Sequence, residues 1–398
     1  MRFHESPLLR VTCLALGFLL GTTSMVGLTM LSTRAASLEP GRSKLDNLGV
    51  IESRLSALAR ERQENGPLRV AFLGDSTVHS SIQAQSLPLV LGQRLEGWQS
   101  GGSSAEVYSL AYPALGSLSF YFLAQDIVAA KPDVILWQLA FNHTNDYWLR
   151  GNTHHELAGH LPILDLLEFS SLPIHELGLS FDTLLTYKLL ANPTLRSIWS
   201  NLINEQSRVQ KVRDKIQRTY SGEGQTSPEM IFFTMQALIA MADHVVKVDG
   251  HERFSRDQSI DQLGEALKGI RRDHILLQAL GKSLRVFRQA GIPVVTYLGP
   301  INIEYLRSLN VVDEELLQAS IQAYRDVAHD YGASFLDFHD ILPDTAFYDA
   351  ASHFRPTPSI DPNARIIDGI HPFLVAELER ITQRAEGSPP GINSQGEF

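Results

Sequence analysis

A serine follows the first apolar run after the amino-terminal region, at a place that suits nucleophilic chemistry. The run Leu68–Leu73 contains one arginine among apolar residues and predicts a buried strand, and Gly74-Asp75-Ser76 comes directly after it. Gly74 permits a tight turn, so Ser76 is expected on a rigid edge with its hydroxyl in a cleft. Gly-Asp-Ser is also ordinary turn composition. The tripeptide has chemical meaning only if the chain supplies a base, a group that orients the base, and an oxyanion hole.

Histidine is the usual base for a serine near neutral pH, and two histidines of the chain each follow an aspartate closely. Asp368 and His371 are three residues apart, which brings their side chains to one side of a turn. A carboxylate so placed holds one imidazole nitrogen while the other faces Ser76. By its spacing alone, the pair is equally an ordinary surface contact. Asp349 and His353, four residues apart and shortly after a predicted strand, form a rival pair with His353 as the rival base.

Two loops at strand ends could supply the fixed donors of an oxyanion hole. The stretch 131–142 predicts a second buried strand, and Asn142 stands at its carboxyl end with a side-chain amide that can donate. A short strand predicted at about 107–111 runs into a loop with proline and glycine, in which Gly116 offers a backbone N–H. Taken singly, Asn142 is equally an ordinary strand-end cap and Gly116 an ordinary turn glycine.

The order of these parts resembles that of the SGNH hydrolases, also called GDSL esterases. In that family a Ser, a Gly, an Asn and a His from four ordered sequence blocks form the nucleophile, two oxyanion donors and the base. The resemblance covers about residues 67–145 and 290–385. The roles that it implies are nucleophile for Ser76, with its own N–H as a third donor, oxyanion donors for Gly116 and Asn142, base for His371 and orienter for Asp368.

Two positions depart from the family pattern. The third block commonly reads Gly-x-Asn-Asp, whereas residues 140–143 of this chain read Ala-Phe-Asn-His. The second block usually has an asparagine near the position where Ser109 or Ala111 stands here. Neither change removes an assigned donor. They keep a second function class open, which is a catalytically silent protein that uses the same fold to bind glycan or to join a complex that modifies envelope polysaccharide.

Between the blocks, predicted strands alternate with predicted helices, which indicates a mostly parallel sheet covered on both faces. Apolar residues at helical spacing predict helices at about 260–290 and 316–328, each followed by a short apolar strand. The expected fold class is therefore α/β. The resemblance implies a three-layer α/β/α architecture of the SGNH, flavodoxin-like kind over residues 67–385. Ligands of such sheets bind at the carboxyl ends of the strands, where Ser76 and Asn142 are expected.

The segment at about 147–258 interrupts this alternation and is interpreted as a helical insertion. It contains no convincing strand pattern. One predicted helix has a basic face that suits exposure to solvent: Arg208, Lys211, Arg213, Lys215 and Arg218. A second, Met230–Ala242, is strongly apolar but too short to span a membrane, and it is expected in the core or as a lid.

Composition restricts the partners and cofactors. The chain has 398 residues and a net charge of -10, and such an acidic balance does not suit nucleic acid. Cys13 is the single cysteine, so an intramolecular disulfide cannot form. The stretch 155–160 has one residue too many for the His-Glu-x-x-His zinc helix, so a metal site is not expected there. No other cofactor is expected either. The histidines of this region are expected at the surface or at a cleft rim: His143, His154, His155 and His160.

The amino terminus predicts an export or membrane segment. Residues 11–33 contain no charged side chain, and this length suits one bilayer crossing or a long signal peptide. Arg2 and Arg10 precede them, which favours an amino end in the cytoplasm and a domain outside it. We interpret residues 1–36 as an uncleaved signal anchor, with a cleaved signal or a buried soluble helix as alternatives. Residues 37–66 are interpreted as a tether with a short helix, and 386–398 as a disordered tail.

Together these features predict an extracytoplasmic, membrane-anchored serine esterase or O-acyltransferase. It would act on acyl esters of envelope glycan or lipid through an acyl-serine intermediate. The expected partners are the acyl-ester substrate, the membrane through residues 11–33, and an envelope complex. In hydrolysis water releases the acid, whereas in transfer a hydroxyl on a polysaccharide or lipid takes the acyl group.

Overall fold

The computed structural model describes residues 42–60, 66–79, 86–100, 102–146, 148–152, 154–172, 174–192, 256–349 and 351–387. The expected anchor at 1–36, most of the expected tail, and the helices predicted at 208–218 and 230–242 lie outside these residues. Within the described ranges, no helix has both the length and the apolar character needed to cross a membrane. The sheet and the candidate site lie in the unit formed by Leu48–Lys188 and the described part of Gly224–Phe398.

Parallel strands form the central sheet. They are β1 Leu68–Leu73, β2 Ala105–Ser109, β3 Val134–Leu139, β4 Val294–Leu298 and β5 Ser334–Asp337. Their order across the sheet is β2-β1-β3-β4-β5. In the register of this sheet, Val70 of β1 lies between Val107 of β2 and Val134 of β3. The α/β class and the mostly parallel sheet expected from the sequence are confirmed.

Helices alternate with these strands. In chain order they are α1 Arg42–Ala59, α2 Ser76–His79, α3 Leu87–Leu95, α4 Ser117–Ala129, α5 Ile163–Ser170, α6 Phe181–Leu190, α7 Arg256–Leu263, α8 Ile275–Gln289, α9 Ile303–Ser308, α10 Glu314–Asp330 and α11 Pro362–Gly387. Turns of 3₁₀ type occupy Phe141–Thr144, His155–His160, Ile174–Leu177, Gly264–Leu267 and Asp344–Ala346, and a π turn occupies Trp148–Asn152. The described part of the expected insertion consists of helices and turns.

Alternate residues of a strand point to opposite faces of the sheet, and in this protein both faces are buried. On one face, Leu136 lies in a core with α3 and with Ile370 of α11. On the other face, the Trp137 ring packs edge-on against Phe120 of α4, with 5.5 Å between ring centroids, and against Phe287 of α8, at 6.2 Å. Helices therefore cover both faces of the sheet.

The second half of α1 packs on this domain and is not a free tether. Ile51, Leu55 and Leu58 recur at helical spacing and are at most 9% exposed. Arg69 of β1 donates through its Nη1 to the Leu58 carbonyl at 2.8 Å. Of the tether expected at 37–66, the side chains of Ile51, Leu55 and Leu58 thus belong to the core of the sheet domain.

The strand order creates a crevice at the carboxyl ends of β1 and β3. The chain leaves β1 for β2 on one side and then crosses to β3 on the other, which makes this pair the topological switch point. Ligands bind at such a point in open α/β sheets. Ser76 follows β1 and Asn142 follows β3. The fold thus brings two of the predicted site residues to one edge.

The packing on Trp137 predicts a large difference between two phenylalanine truncations. Phe287 has no exposed surface, whereas Phe373 of α11 is 49% exposed. Phe287→Ala is expected to lower the free energy of unfolding by about 3–5 kcal/mol, because it leaves a cavity beside Trp137. Phe373→Ala, the matched control, is expected to change it by less than about 0.5 kcal/mol. Urea denaturation of the full-length variants, followed by circular dichroism, measures both changes in the free energy of unfolding. Equal losses in the two variants would contradict the packing of Phe287 against Trp137.

Candidate active site

Ser76 stands at the carboxyl end of β1, where the chain turns into α2. A Cβ on Gly74 would lie 2.4 Å from Cγ2 of Val78, so a larger residue does not fit at this turn. The Tyr112 N–H, in the loop after β2, donates to the Gly74 carbonyl at 3.1 Å. These contacts fix the backbone that precedes Ser76 and connect it to the neighbouring loop.

The imidazole of His353 faces Ser76. Its Nε2 lies 3.0 Å from the Ser76 Oγ, although 277 positions separate the two residues in sequence. His353 belongs to the loop between β5 and α11. Its side chain is 30% exposed, so the ring is reachable from the crevice. Ser76 therefore has a proton acceptor within hydrogen-bonding distance.

Asp349 holds the other nitrogen of the His353 ring. Its Oδ2 forms a short hydrogen bond with His353 Nδ1. Its Oδ1 accepts from the backbone N–H groups of Ala351 and Ser352, each at 2.9 Å, and of His353 at 3.0 Å. Because a carboxylate only accepts hydrogen bonds, the ring carries its hydrogen on Nδ1 and directs the Nε2 lone pair at Ser76.

Two carboxylates act on the protonation of His353. Burial disfavours the charged imidazolium, but the charge and hydrogen bond of Asp349 outweigh it, and the charge of Asp75 adds to them. The pKa of His353 is consequently raised above its ordinary value of 6.5. Only a neutral ring can take a proton from Ser76. The proton acceptor is therefore fully available only when the pH exceeds this raised pKa.

The predicted pair Asp368 and His371 occupies a different place. Both residues lie inside α11, whose apolar side, with Ile367 and Ile370, faces the core of the sheet. Asp368 is on the outer side of the helix, where it is 56% exposed and forms an ion pair with Arg94 of α3. An exposed carboxylate in this ion pair does not orient an imidazole at the strand ends.

The expectation that His371 lies beside Ser76 is therefore wrong. The rival pair, Asp349 and His353, stands there instead. The apolar spacing after the Asp-Gly-Ile-His motif does predict a helix, but that helix begins at Pro362 and encloses the motif. Asp349 and His353 are in an irregular loop instead, where the carboxylate can collect successive backbone N–H groups. In the sequence, the signal that could have identified this pair was the spacing of four residues between Asp349 and His353.

Gly116 and Asn142 lie at the same edge of the sheet as Ser76. Gly116 directly precedes α4, at the end of the loop after β2, and Asn142 lies in the 3₁₀ turn after β3, where it is 3% exposed. A Cβ on Gly116 would lie 2.4 Å from Nδ1 of His143, so this position has no room for a side chain. That Gly116 and Asn142 donate to an oxyanion stays a prediction.

Gln138, near the end of β3, braces both neighbours of Ser76. Its Oε1 accepts from the Asp75 N–H at 3.2 Å, and its Nε2 donates to the Thr77 hydroxyl. A Cβ on Gly299, after β4, would lie 2.6 Å from the same Nε2, so the amide is closely confined. Gln138 was not among the predicted site residues. The signal available was a polar side chain inside an otherwise apolar strand.

Asp75 is the second buried carboxylate of the site. It is 1% exposed, and its Oδ1 accepts from the Thr77 N–H at 2.8 Å and from the Thr77 hydroxyl at 2.7 Å. Its Oδ2 lies 3.3 Å from Nε2 of His143. Burial acts to raise the pKa of Asp75, but His143 and Thr77 outweigh burial and hold that pKa below its ordinary value. Asp75 is thus an ionised anchor of the turn.

The histidines expected at the surface or a cleft rim are largely buried. His143, His154 and His155 are each about 5–6% exposed. His160 Nδ1 lies 2.7 Å from Oδ2 of Asp126 on α4. Among the residues that the structure describes, no three His, Cys, Asp or Glu side chains are arranged to hold a metal ion. These histidines contact the protein interior instead.

Comparisons with known proteins add little to this geometry. No protein-family description matches the chain. No curated protein matches it either. Among solved structures, one from Streptococcus pneumoniae, described provisionally as a platelet activating factor, matches 86% of this chain and 99% of its own at 13% identity, with a TM-score of 0.34. A likeness this distant has no bearing on function, and the fold is defined by the strand order itself.

The contact between Asp349 and His353 predicts how the imidazole titrates. In the native protein the pKa of His353 is expected above 6.5. Asp349→Asn is expected to lower it, because the largest favourable charge is lost while the burial that disfavours imidazolium stays. Asp368→Asn, the matched control, is expected to leave it unchanged.

NMR titration of histidine-labelled full-length protein measures these pKa values, with a His353→Gln sample to identify the signal. A pKa of His353 that responds to Asp368→Asn and not to Asp349→Asn would contradict the arrangement.

Proposed function

We propose that this protein is a serine esterase or O-acyltransferase, with Ser76 as nucleophile, His353 as base and Asp349 as its orienter. The observation that supports this is the 3.0 Å contact between Ser76 Oγ and His353 Nε2, together with the carboxylate bonded to the far side of the ring. A serine hydroxyl is a weak nucleophile until a base removes its proton, and this arrangement supplies such a base.

In the proposed acylation step, the Ser76 Oγ attacks the carbonyl carbon of an ester, and its proton passes to His353 Nε2. The former carbonyl oxygen then carries a negative charge. The donors proposed for this oxyanion are the N–H groups of Ser76 and Gly116 and the side-chain amide of Asn142. Loss of one such donor costs about 10²–10³ in rate in enzymes where it has been measured.

The intermediate then collapses with cleavage of the ester C–O bond. His353 gives its proton to the departing oxygen, which leaves as an alcohol, and the acyl group stays on Ser76. In hydrolysis, water loses a proton to His353 as its oxygen attacks the acyl carbonyl, and the acid is released with the Ser76 hydroxyl restored. In transfer, a hydroxyl of a polysaccharide or lipid replaces the water.

The proposed substrates are acyl esters of envelope glycan or lipid. This part of the proposal rests on the sequence, in which the uncharged residues 11–33 follow Arg2 and Arg10 and favour an anchored domain outside the cytoplasmic membrane. A domain held there has access to envelope polymers and to the enzymes that build them. Membership of an envelope complex belongs to the same proposal.

A fluorophosphonate probe tests the nucleophile and the base. The native full-length protein is expected to be labelled on Ser76, and Ser76→Ala to remove the labelling. His353→Ala is expected to slow labelling by about 10²–10⁴, the usual contribution of a positioned base. His371→Ala, the matched control, is expected to label within twofold of the native rate. Gel fluorescence gives the rates, and peptide mass spectrometry locates the adduct.

The same experiment separates the alternatives. A native protein that stays unlabelled would favour the catalytically silent, glycan-binding class. Labelling that survives Ser76→Ala would exclude this nucleophile. Slow labelling in His371→Ala combined with native labelling in His353→Ala would exclude this base.

The location of the domain is tested separately from its chemistry. In bacterial cells that express the full-length chain, protease added to spheroplasts is expected to digest the sheet domain, because residues 11–33 are expected to place it outside the cytoplasmic membrane. A cytoplasmic marker protein serves as the control for intact membranes. Full protection of the domain while an exported marker is digested would contradict the proposed location.

A further inference from the structure

The loop Tyr112–Gly116 carries the proposed oxyanion donor and adopts a backbone that must be enforced. Ala114 has a φ of 65°, in the left-handed region that disfavours residues other than glycine. Such a conformation persists only where the surroundings over-determine it. Within the loop, the Leu115 N–H donates to the Tyr112 carbonyl at 3.1 Å. The contacts that hold this loop therefore bear directly on where the Gly116 N–H points.

His154 contacts the middle of this loop from the start of the predicted insertion. Its Nε2 lies 3.0 Å from the Pro113 carbonyl oxygen, and its Nδ1 lies 3.1 Å from Oε1 of Glu156. The Tyr112 ring packs edge-on against the imidazole, with 5.9 Å between centroids. The side chains of His154 and Glu156 are only 6% and 10% exposed, so water does not readily replace either hydrogen bond.

The two ring nitrogens of His154 have different partners. One lies against the Pro113 carbonyl of the loop, and the other lies against Glu156 in the turn that starts at His155. The imidazole therefore bridges the loop and this turn, and the two contacts together fix where the ring lies.

Two other titratable side chains lie near this pair. Tyr187 of α6 lies beside Glu156, and burial together with this carboxylate raises its pKa to about 12, so it stays a neutral phenol. Arg54 of α1 donates to the Ala111 carbonyl, and its guanidinium lies 5.8 Å from the centroid of the Tyr112 ring. Arg54 thus holds the start of the loop while His154 holds Pro113.

We infer that His154 is a positioning residue which, held between Glu156 and the Pro113 carbonyl, fixes the loop that presents the Gly116 N–H to the oxyanion. The inference rests on the proposed function, because it gives His154 a part in the same reaction. The turn that follows, His155–His160, is joined to α4 through His160 and Asp126. Asp126 lies near the end of α4 that is remote from Gly116, so this second contact does not hold the loop.

The test compares the rate of phosphonylation of Ser76 in full-length variants. The transition state of that reaction also carries a developing oxyanion, so its maximal rate depends on the Gly116 N–H. His154→Gln is expected to lower the maximal rate at least about tenfold, with little change in the half-saturating probe concentration. His160→Gln, which breaks a comparable histidine–carboxylate contact away from the loop, is expected to stay within twofold of native.

A second variant covers the case in which His154→Gln leaves Glu156 unpaired and fails to fold. The double variant His154→Gln/Glu156→Gln buries no charge, and its two amides can bond to each other. It is expected to fold and to show the same loss of maximal rate. A folded single or double variant that reacts within twofold of native would overturn the inference.

Hydrogen exchange provides a readout that does not need activity. Peptides that cover residues 112–116 are expected to exchange faster in His154→Gln, or in the double variant, than in the native protein and in His160→Gln. Unchanged exchange of the loop would overturn the inference.

The outcomes for the two proposals are distinct. Absence of labelling in the native protein overturns the proposed function and this inference with it. Native labelling on Ser76 that is insensitive to His154 overturns this inference alone.

Discussion

Asp75 is an ionised carboxylate with almost no contact with water, and the turn that carries Ser76 is arranged around it. Burying such a charge is strongly unfavourable unless hydrogen bonds replace the lost water. Thr77 donates two hydrogen bonds to one oxygen, and Nε2 of His143 lies 3.3 Å from the other. Gln138 holds the same turn from β3. The requirement to satisfy Asp75 therefore determines the geometry of Ser76 in the absence of any substrate.

The two buried carboxylates of the site have separate tasks because their surroundings differ. Asp75 bonds to the turn and lies beside His143, and it acts on His353 only through its charge. Asp349 has one oxygen bound by three backbone N–H groups and the other turned to the imidazole, so it fixes the direction of the His353 ring. His143 also packs against Gly116, which links the anchor under Ser76 to the loop after β2.

Much of the fold and part of the site could be predicted from local sequence. Continuous apolar runs predict strands that are buried on both faces, and apolar residues at helical spacing predict helices that are buried on one face. The alternation of these two patterns along the chain predicts a parallel sheet. Ser76 and Asn142 could be placed at one edge for the same reason, because each directly follows a buried strand. By itself, Gly74-Asp75-Ser76 is ordinary turn composition. It becomes a candidate for chemistry because it lies at the topological switch point of the sheet, where ligands bind.

The sequence by itself determined the sheet, the strand that delivers Ser76, and the two aspartate–histidine pairs that could serve it. Only the tertiary structure decided which of those pairs lies beside Ser76, because each is locally plausible and the outcome depends on which one the chain brings back to β1. The helix around Asp368 and His371 must bury Ile367 and Ile370, and this turns Asp368 toward Arg94 at the surface. The loop with Asp349 buries Phe347 and Phe354 in the same core, and His353 between them lies against Ser76 at the strand ends. The burial of His143 and His154 was likewise undecidable from spacing, since their partners Asp75 and Pro113 lie far away in sequence.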